Sequence, residues 1–410
     1  MFWASGADVW GRRPVYIACL AVYVASNIAL SFNDSYAGLL VLRMIQAIGS
    51  SATIAIGAGT VADITTPRER GSAMGLFSSG TMVATAIAPV LGGGLAQAWG
   101  WRGPFRFLAI YSGVVLHVIA LFLPETLHSI VGNGSIPPRK IFNMNPFDYF
   151  RNGLHHTHPP VTPQEEQFVR DKVHEVPKPV ACLKLLMQRD VLAILVYNST
   201  HYTAFYMVTA SASVIFAEKY RLNQIEIGLS FLPFGLGCVL SSIGSGLILD
   251  YEFRSVARAM GLTPLQAKSS DISRFPIERA RLRAVAFIYI ALACFFVGYG
   301  WAMTAILPLA VPLVFMFVIG ILSTYGMTAS TVILTDLFSD QAASANAANN
   351  LVRCLMGASG TAAVQYMVDA IGDGWTFTIV GGVCLAVQPL LWLELAYGRN
   401  WRAQRTFVCT

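Results

Sequence analysis

Charge is scarce in this sequence. Asp, Glu, Lys and Arg make up 12% of its 410 residues, where a soluble domain carries about a quarter. So few charges cannot clothe a water-facing surface of that size. No Cys-x-x-Cys pair occurs. The seven cysteines (Cys19, Cys182, Cys238, Cys294, Cys354, Cys384 and Cys409) are scattered, mostly inside apolar runs. That spacing gives neither a disulfide framework nor a metal site. Walker motifs, nucleophile elbows and paired catalytic carboxylates are also missing, which argues against an enzyme and against an ATP-driven pump. No cofactor is expected. The alternating ten-residue strands of a transmembrane β-barrel are missing too.

What the chain has is apolar length. Hydrophobic residues make up 55% of it, and a bilayer helix needs about 20 mostly apolar residues. Ten such segments can be drawn, at 15–32, 37–62, 72–98, 105–123, 190–216, 226–249, 284–306, 309–335, 343–371 and 375–397. Polar connectors at 124–189 and 250–283 interrupt them. The expected class is an all-α polytopic membrane protein. It divides into an incomplete N-terminal bundle at 1–123, a central loop at 124–189, a six-helix bundle at 190–397 and a tail at 398–410.

Direction follows from the basic residues. With the opening turn placed in the cytoplasm, 22 of the 28 Lys and Arg fall inside and four outside, while Arg43 and Arg353 lie within spans. Basic residues collect on the cytoplasmic side of membrane proteins. Both termini are therefore expected in the cytoplasm, and the net charge of +6 reads as topology rather than nucleic-acid binding. Three histidines in "LHHTHPP" at 154–160 lack further ligands and are read as no metal site.

A weak repeat joins the two halves. "ASGADVWGRR" at the start and "GLILDYEFR" at 246–254 both read small-x3-Asp-x3-Arg, with Ala4, Asp8 and Arg12 matched by Gly246, Asp250 and Arg254. Repeats in matching positions mark transporters built from duplicated bundles. In the second half two spans precede or carry the motif. The first half offers neither, so the expectation is a twelve-helix plan lacking its first helix and nearly all of its second.

"ADVWGRRP", "RMIQAIGSS", "AIAPVLGGGL", "PETL", "NPFDYF" and "NNLVRCLMGASGTA" carry a resemblance. The chain resembles the major facilitator superfamily, and within it the fungal twelve-span drug:proton antiporters of quinidine-resistance type. The resemblance implies two pseudo-symmetric helical bundles that alternate access by rocking, exporting drugs, toxins or secondary metabolites in exchange for protons. It implies a multi-pass protein of the plasma membrane, a monomer whose partners are a small organic substrate, protons and the bilayer. A second reading is a transport-deficient remnant, or part of a longer chain, acting as a binding or regulatory membrane protein.

Candidate residues fall in two groups. The polar pathway comprises Arg43, Gln46 and Ser50 on the second span; Asn198, His201 and Tyr202 on the fifth; and Asn349, Asn350, Arg353 and Gln365 on the ninth. Arg43, Gln46, Ser50, Thr53, Gly57 and Thr60 follow one another at three- and four-residue steps and would share one helix face. A charge within hydrocarbon is costly and should face a cavity or a partner, so Arg43 reads as a pathway residue, as a tie between helices, or as a side chain snorkelling outward to the near interface. Asn349, Arg353 and Gly357 likewise share a face. The conformational group comprises Asp8, Gly11, Arg12, Arg13, Asp63, Pro89, Gly92, Gly93, Asp250 and Arg254. From the resemblance, Asp8 and Arg12 are expected to meet Asp63, and the span around Pro89 to act as seal and hinge. Its small residues at Gly80, Ala84, Ala88, Gly92 and Ala96 would form the packing ridge.

Overall fold

Gly11 opens the first long helix from a backbone that side chains avoid, with φ 108° and ψ 155°. This region belongs to glycine because a Cβ clashes with its own backbone there. A Cβ on Gly11 would also run into the Glu125 carboxylate. The space is needed because Glu125 caps the helix. It accepts from the amides of Arg12 at 2.8 Å and Arg13 at 3.3 Å. It accepts also from Thr126 and Leu127, each at 3.1 Å. A buried carboxylate at a helix N-terminus satisfies amides that have no partner within the helix and meets the positive end of the dipole.

The computed structural model describes residues 3, 6, 7, 10–51, 53–64, 70–131, 143, 188–260, 277–337 and 342–408. Asp8, the histidines of 154–160 and "NPFDYF" lie outside the described residues. Among those described there is no strand. The helices are α1 (Arg12–Phe32), α2 (Tyr36–Ser50), α3 (Thr53–Ile64), α4 (Arg70–Trp99), α5 (Gly103–Phe122), α6 (Arg189–Glu218), α7 (Gln224–Ser230), α8 (Leu232–Ala259), α9 (Ile277–Thr304), α10 (Ala310–Leu337), α11 (Ala342–Ala386) and α12 (Gln388–Val408). Six apolar stretches among them are long enough to cross a bilayer.

Three expected spans are cut differently. The segment 37–62 is two helices, α2 and α3. Around the break Ser50, Ser51 and Thr53 turn their hydroxyls back onto the carbonyls of Ala47, Ile48 and Ser50. Such bonds compete with the backbone ladder. The segment 226–249 is α7 followed by α8. Asn223 and Glu226 close a reciprocal capping box on α7, and Pro233 has no amide to carry the ladder across the junction. Residues 343–371 continue into the next span as one long helix bent at Gly372, where φ is 78°.

The chain forms two compact units. The first comprises Met1–Ser78 and Leu95–Pro179, the second Ser79–Gly94 and Val180–Thr410. In the first, α1 lies against α2 and α5 and touches α3. Its core is small: Ala7, Val15, Cys19 and Ile56, with Trp3 and Tyr16 against them. In the second, α11 packs on α6 and α9, α10 packs on α8 and α9, and α12 covers α6 and α9. Tyr197, Tyr289, Tyr299, Phe216, Phe234, Phe296 and Phe377 are fully buried there.

The middle of α4 belongs to the second unit, and its packing face differs from the expected ridge. A Cβ on Gly93 would strike the Gln224 carbonyl, and one on Gly235 would strike Ala86. A Cβ on Gly228 would sit 2.7 Å from the Pro89 carbonyl. The contact face is therefore Ala86, Pro89 and Gly93. Gly80 and Gly92 face open space. Small residues ring much of α4, and only the glycines of α7 and α8 decide which side is used.

Candidate functional site

In each unit an arginine within an apolar helix lies over an aromatic ring and donates to a side-chain amide on its own helix. In the first unit Arg43, about 10 Å along α2 from Tyr36 at 1.5 Å per residue, donates from Nη1 to Gln46 Oε1 at 3.0 Å. Its guanidinium lies 4.9 Å from the Phe105 ring centre, a cation–π arrangement. Gln46 is buried and donates to Asn27 Oδ1 at 2.7 Å. Asn27 in turn donates to the Tyr23 carbonyl at 2.8 Å. The chain Arg43–Gln46–Asn27–Tyr23 thus crosses from α2 to α1. It exists because Gly49 brings the two backbones together: a Cβ there would lie 2.8 Å from Tyr23 N.

Asn27 is missing from the sequence-based set. Its only signal was that of a lone amide deep in an apolar span. Ser50, which was in the set, is exposed and bonds the Ala47 carbonyl of its own helix at 3.3 Å. It takes no part in the chain, because the α2–α3 break ends the shared face there.

The second unit gathers more of the expected residues. Arg353, about 16 Å along α11 from Ala342, donates from Nη2 to Asn350 Oδ1 at 2.6 Å. Its guanidinium sits 4.5 Å from the centre of the Tyr202 ring. Nε is buried and donates to nothing. Asn198 donates to Asn349 Oδ1 at 3.2 Å and accepts from the Tyr289 hydroxyl at 3.4 Å. His201 is buried, donates from Nδ1 to the Tyr197 carbonyl at 2.9 Å, and stacks on Tyr289 at 3.9 Å between ring centres. Its Nε2 is buried with no partner. Tyr289, Tyr197 and Gln388 complete this cluster, with Tyr197 donating to Gln388 Oε1 at 3.1 Å. The two tyrosines do not stand out by type, since tyrosines are common in membrane spans, whereas Gln388 is a polar residue in an apolar span and carries a signal, yet is missing from the sequence-based set.

Gln365 is elsewhere. It donates to Asp369 Oδ1 at 2.9 Å on an exposed part of α11. Twelve residues from Arg353, it lies about 18 Å further along the helix, too far to join the cluster.

The motif residues at the Arg12 end of the first unit form a separate group. Arg12 pairs with Asp63 at 3.1 Å, both largely buried. Arg13 is buried and donates to the Ala120 carbonyl at 2.5 Å. With Glu125 capping α1, this ties α1, α3 and the end of α5 into one polar knot. In the second unit Asp250 lies in α8 with its side chain outside the described set, and Arg254 is exposed. At the other end of the first unit Arg102 pairs with Asp34 and donates to the Asn33 carbonyl at 3.2 Å. In the second unit Lys219 pairs with buried Asp373 and donates to the Met303 carbonyl at 3.2 Å.

Six apolar stretches of bilayer length, with one arginine in each unit tied to an amide on its own helix, are the pattern of a multi-pass membrane protein. The chain belongs to the Major Facilitator Superfamily, whose description it matches over residues 1–361. It is similar to the MFS-type transporter phiL of a fungal species, 35% identical over 95% of this chain and 94% of that protein. It is similar also to citrate exporter 1 of Aspergillus niger, 38% identical over 98% of this chain and 76% of that protein. The crystal structure of the human organic anion transporter MFSD10 shares the fold, with TM-score 0.57 and 17% identity over 95% of this chain and 79% of that one. The fold is the all-helical major facilitator fold.

Proposed function

We propose that this chain is a secondary active transporter that exports small organic metabolites in exchange for protons, by alternating access, in the plasma membrane with both ends cytoplasmic. One observation carries the reading. Arg43 and Arg353 both lie well inside apolar helices and have no carboxylate partner among the described residues. Placing an arginine in a bilayer costs several kcal/mol. Arg43 is exposed and Arg353 half-buried, so both guanidinium groups are open to a charged or polar solute while only neutral amides and rings hold them.

Three further features support it. The named similarity to a citrate exporter and to fungal MFS-type transporters fits export of metabolites. His201, buried against Tyr289 with one ring nitrogen that has no partner, offers a titratable group on the same helix as Tyr202. The Arg12–Asp63 pair offers a charge contact whose making and breaking would bias two conformations. The test is flux. Protein in lipid vesicles with an imposed pH gradient should move radiolabelled citrate or a rhodamine dye faster than empty vesicles, and a protonophore should abolish the difference. No flux of either probe above empty vesicles rejects the proposal.

A further inference from the structure

We propose that the second unit carries an anion site in which Arg353 holds the carboxylate of an organic acid and the aromatic shelf around Tyr202 receives its apolar body. The setting rests on the transporter reading; the site itself stands on the geometry below.

The charge balance comes first. The groups that touch Arg353 are neutral, the Asn350 amide and the Tyr202 ring, and the neighbouring Asn349–Asn198–Tyr289 chain carries no charge either. No carboxylate among the described residues lies within ion-pair distance of it. The half-buried positive charge therefore has no carboxylate partner among the described residues and attracts an opposite charge. A cationic substrate would be repelled there.

The donor inventory comes second. A guanidinium has five N–H bonds in a planar fork. Asn350 takes one, and Nε is buried with no acceptor. A buried donor left unmet is costly, so Nε has room for an acceptor that the described residues do not supply. The amides of Asn198 and Asn349 bond each other and so do not fill the gap. A carboxylate presents two coplanar acceptor oxygens, which is the shape the fork matches.

The third element is the shelf. The Tyr202 ring lies beneath the guanidinium, 4.5 Å from Cζ to the ring centre. Tyr206 continues the shelf, 4.5 Å from Tyr202 between ring centres, and Phe205 follows 5.3 Å from Tyr206. Tyr206 is exposed at 40%, so the shelf is open on that side. Gly357 lies one turn beyond Arg353, and a Cβ there would press on the Tyr202 ring at 3.2 Å. Its absence lets the ring lie flat beneath the arginine. Charge, fork and shelf together select a carboxylate with an apolar or aromatic body over a small inorganic anion.

The full chain, purified in detergent, is titrated while its thermal unfolding midpoint is followed. The probes are benzoate, benzamide, benzyltrimethylammonium and inorganic phosphate. Benzoate should raise the midpoint in a saturable way, with the other three at least roughly tenfold weaker. Losing a charge-assisted fork corresponds to roughly 10- to 100-fold in affinity. Arg353→Lys should weaken benzoate by that factor, because it keeps the charge and loses the fork. Tyr202→Ala should weaken benzoate several-fold while leaving phosphate unchanged. Equal binding of benzamide, of the cation or of phosphate overturns the proposal, and so does undiminished benzoate binding by Arg353→Lys. If that variant elutes as aggregate, the comparison of probes on the native chain still decides. Benzoate binding without vesicle flux would reject the transport reading and leave the site. Flux of a cationic dye without benzoate binding would do the reverse.

Discussion

Arg43 and Arg353 are held by the same device with opposite wiring. Each guanidinium lies over an aromatic ring, and each donates to an amide three residues away on its own helix. In the first unit the amide, Gln46, is itself anchored by Asn27 on another helix. In the second unit Asn350 holds Arg353 alone, while the anchored amides are its neighbour Asn349 and Asn198. Arg43 is thus the end of a relay between α2 and α1, and Arg353 stands beside one. A similar sequence pattern, arginine plus amide on one helix face, gives one tethered charge and one freer charge.

The difference can be broken by substitution. The largest effect is expected from Arg43→Ala, which should lower vesicle flux by roughly 10- to 100-fold, the value of a charge-assisted bond. The purified variant should elute as wild type does. Unchanged flux would remove Arg43 from the transport path.

Next come the glycines that bring the rings and relays together. Gly49→Ala drives a Cβ to 2.8 Å from backbone N of Tyr23, which cannot yield without separating α1 from α2. Overpacking of this kind costs about 1–3 kcal/mol, read as a lowered unfolding midpoint. Gly357→Ala meets only the Tyr202 ring, at 3.2 Å, which can tilt. Its cost should be below about 1 kcal/mol. Equal losses for the two would mean that α11 and α6 are as tightly apposed as α2 and α1.

Glu125→Gln tests the knot at the start of α1. It keeps an acceptor and removes the charge facing the helix N-terminus, so a loss of about 1 kcal/mol is expected. No change in the unfolding midpoint would show that the cap works as a plain hydrogen bond.

The smallest and sharpest test is a pair of double-mutant cycles scored on stability. Asn27 and Arg43 should couple through Gln46 by about 0.5 kcal/mol or more. Asn349 and Arg353, which share no bond, should couple by less than about 0.5 kcal/mol. Coupling of the same size in both cycles would erase the distinction between the two arginines.

Much of this site was legible before any coordinates. Arg43, Gln46, Asn198, His201, Tyr202, Asn349, Asn350 and Arg353 announce themselves because polar side chains are rare in apolar spans and must find partners. Ser50 and Gln365 misled for a related reason: polarity marks a residue as unusual without saying where its helix ends or how far along it lies. Asn27 and Tyr289 were missed because their partners stand on other helices. The expected ridge of α4 failed similarly, since a helix with small residues on several sides does not reveal which one meets glycines.

By itself the sequence determined the helices, their apolar length and the scarcity of charge, because a bilayer forces backbone bonds to close within each segment. Only the tertiary structure decided whether the amide beside each arginine is itself anchored on another helix, as Gln46 is on Asn27, and so which charge is tied down. That anchoring depends on two backbones approaching within a few ångströms at Gly49, and such closeness is a property of two helices together.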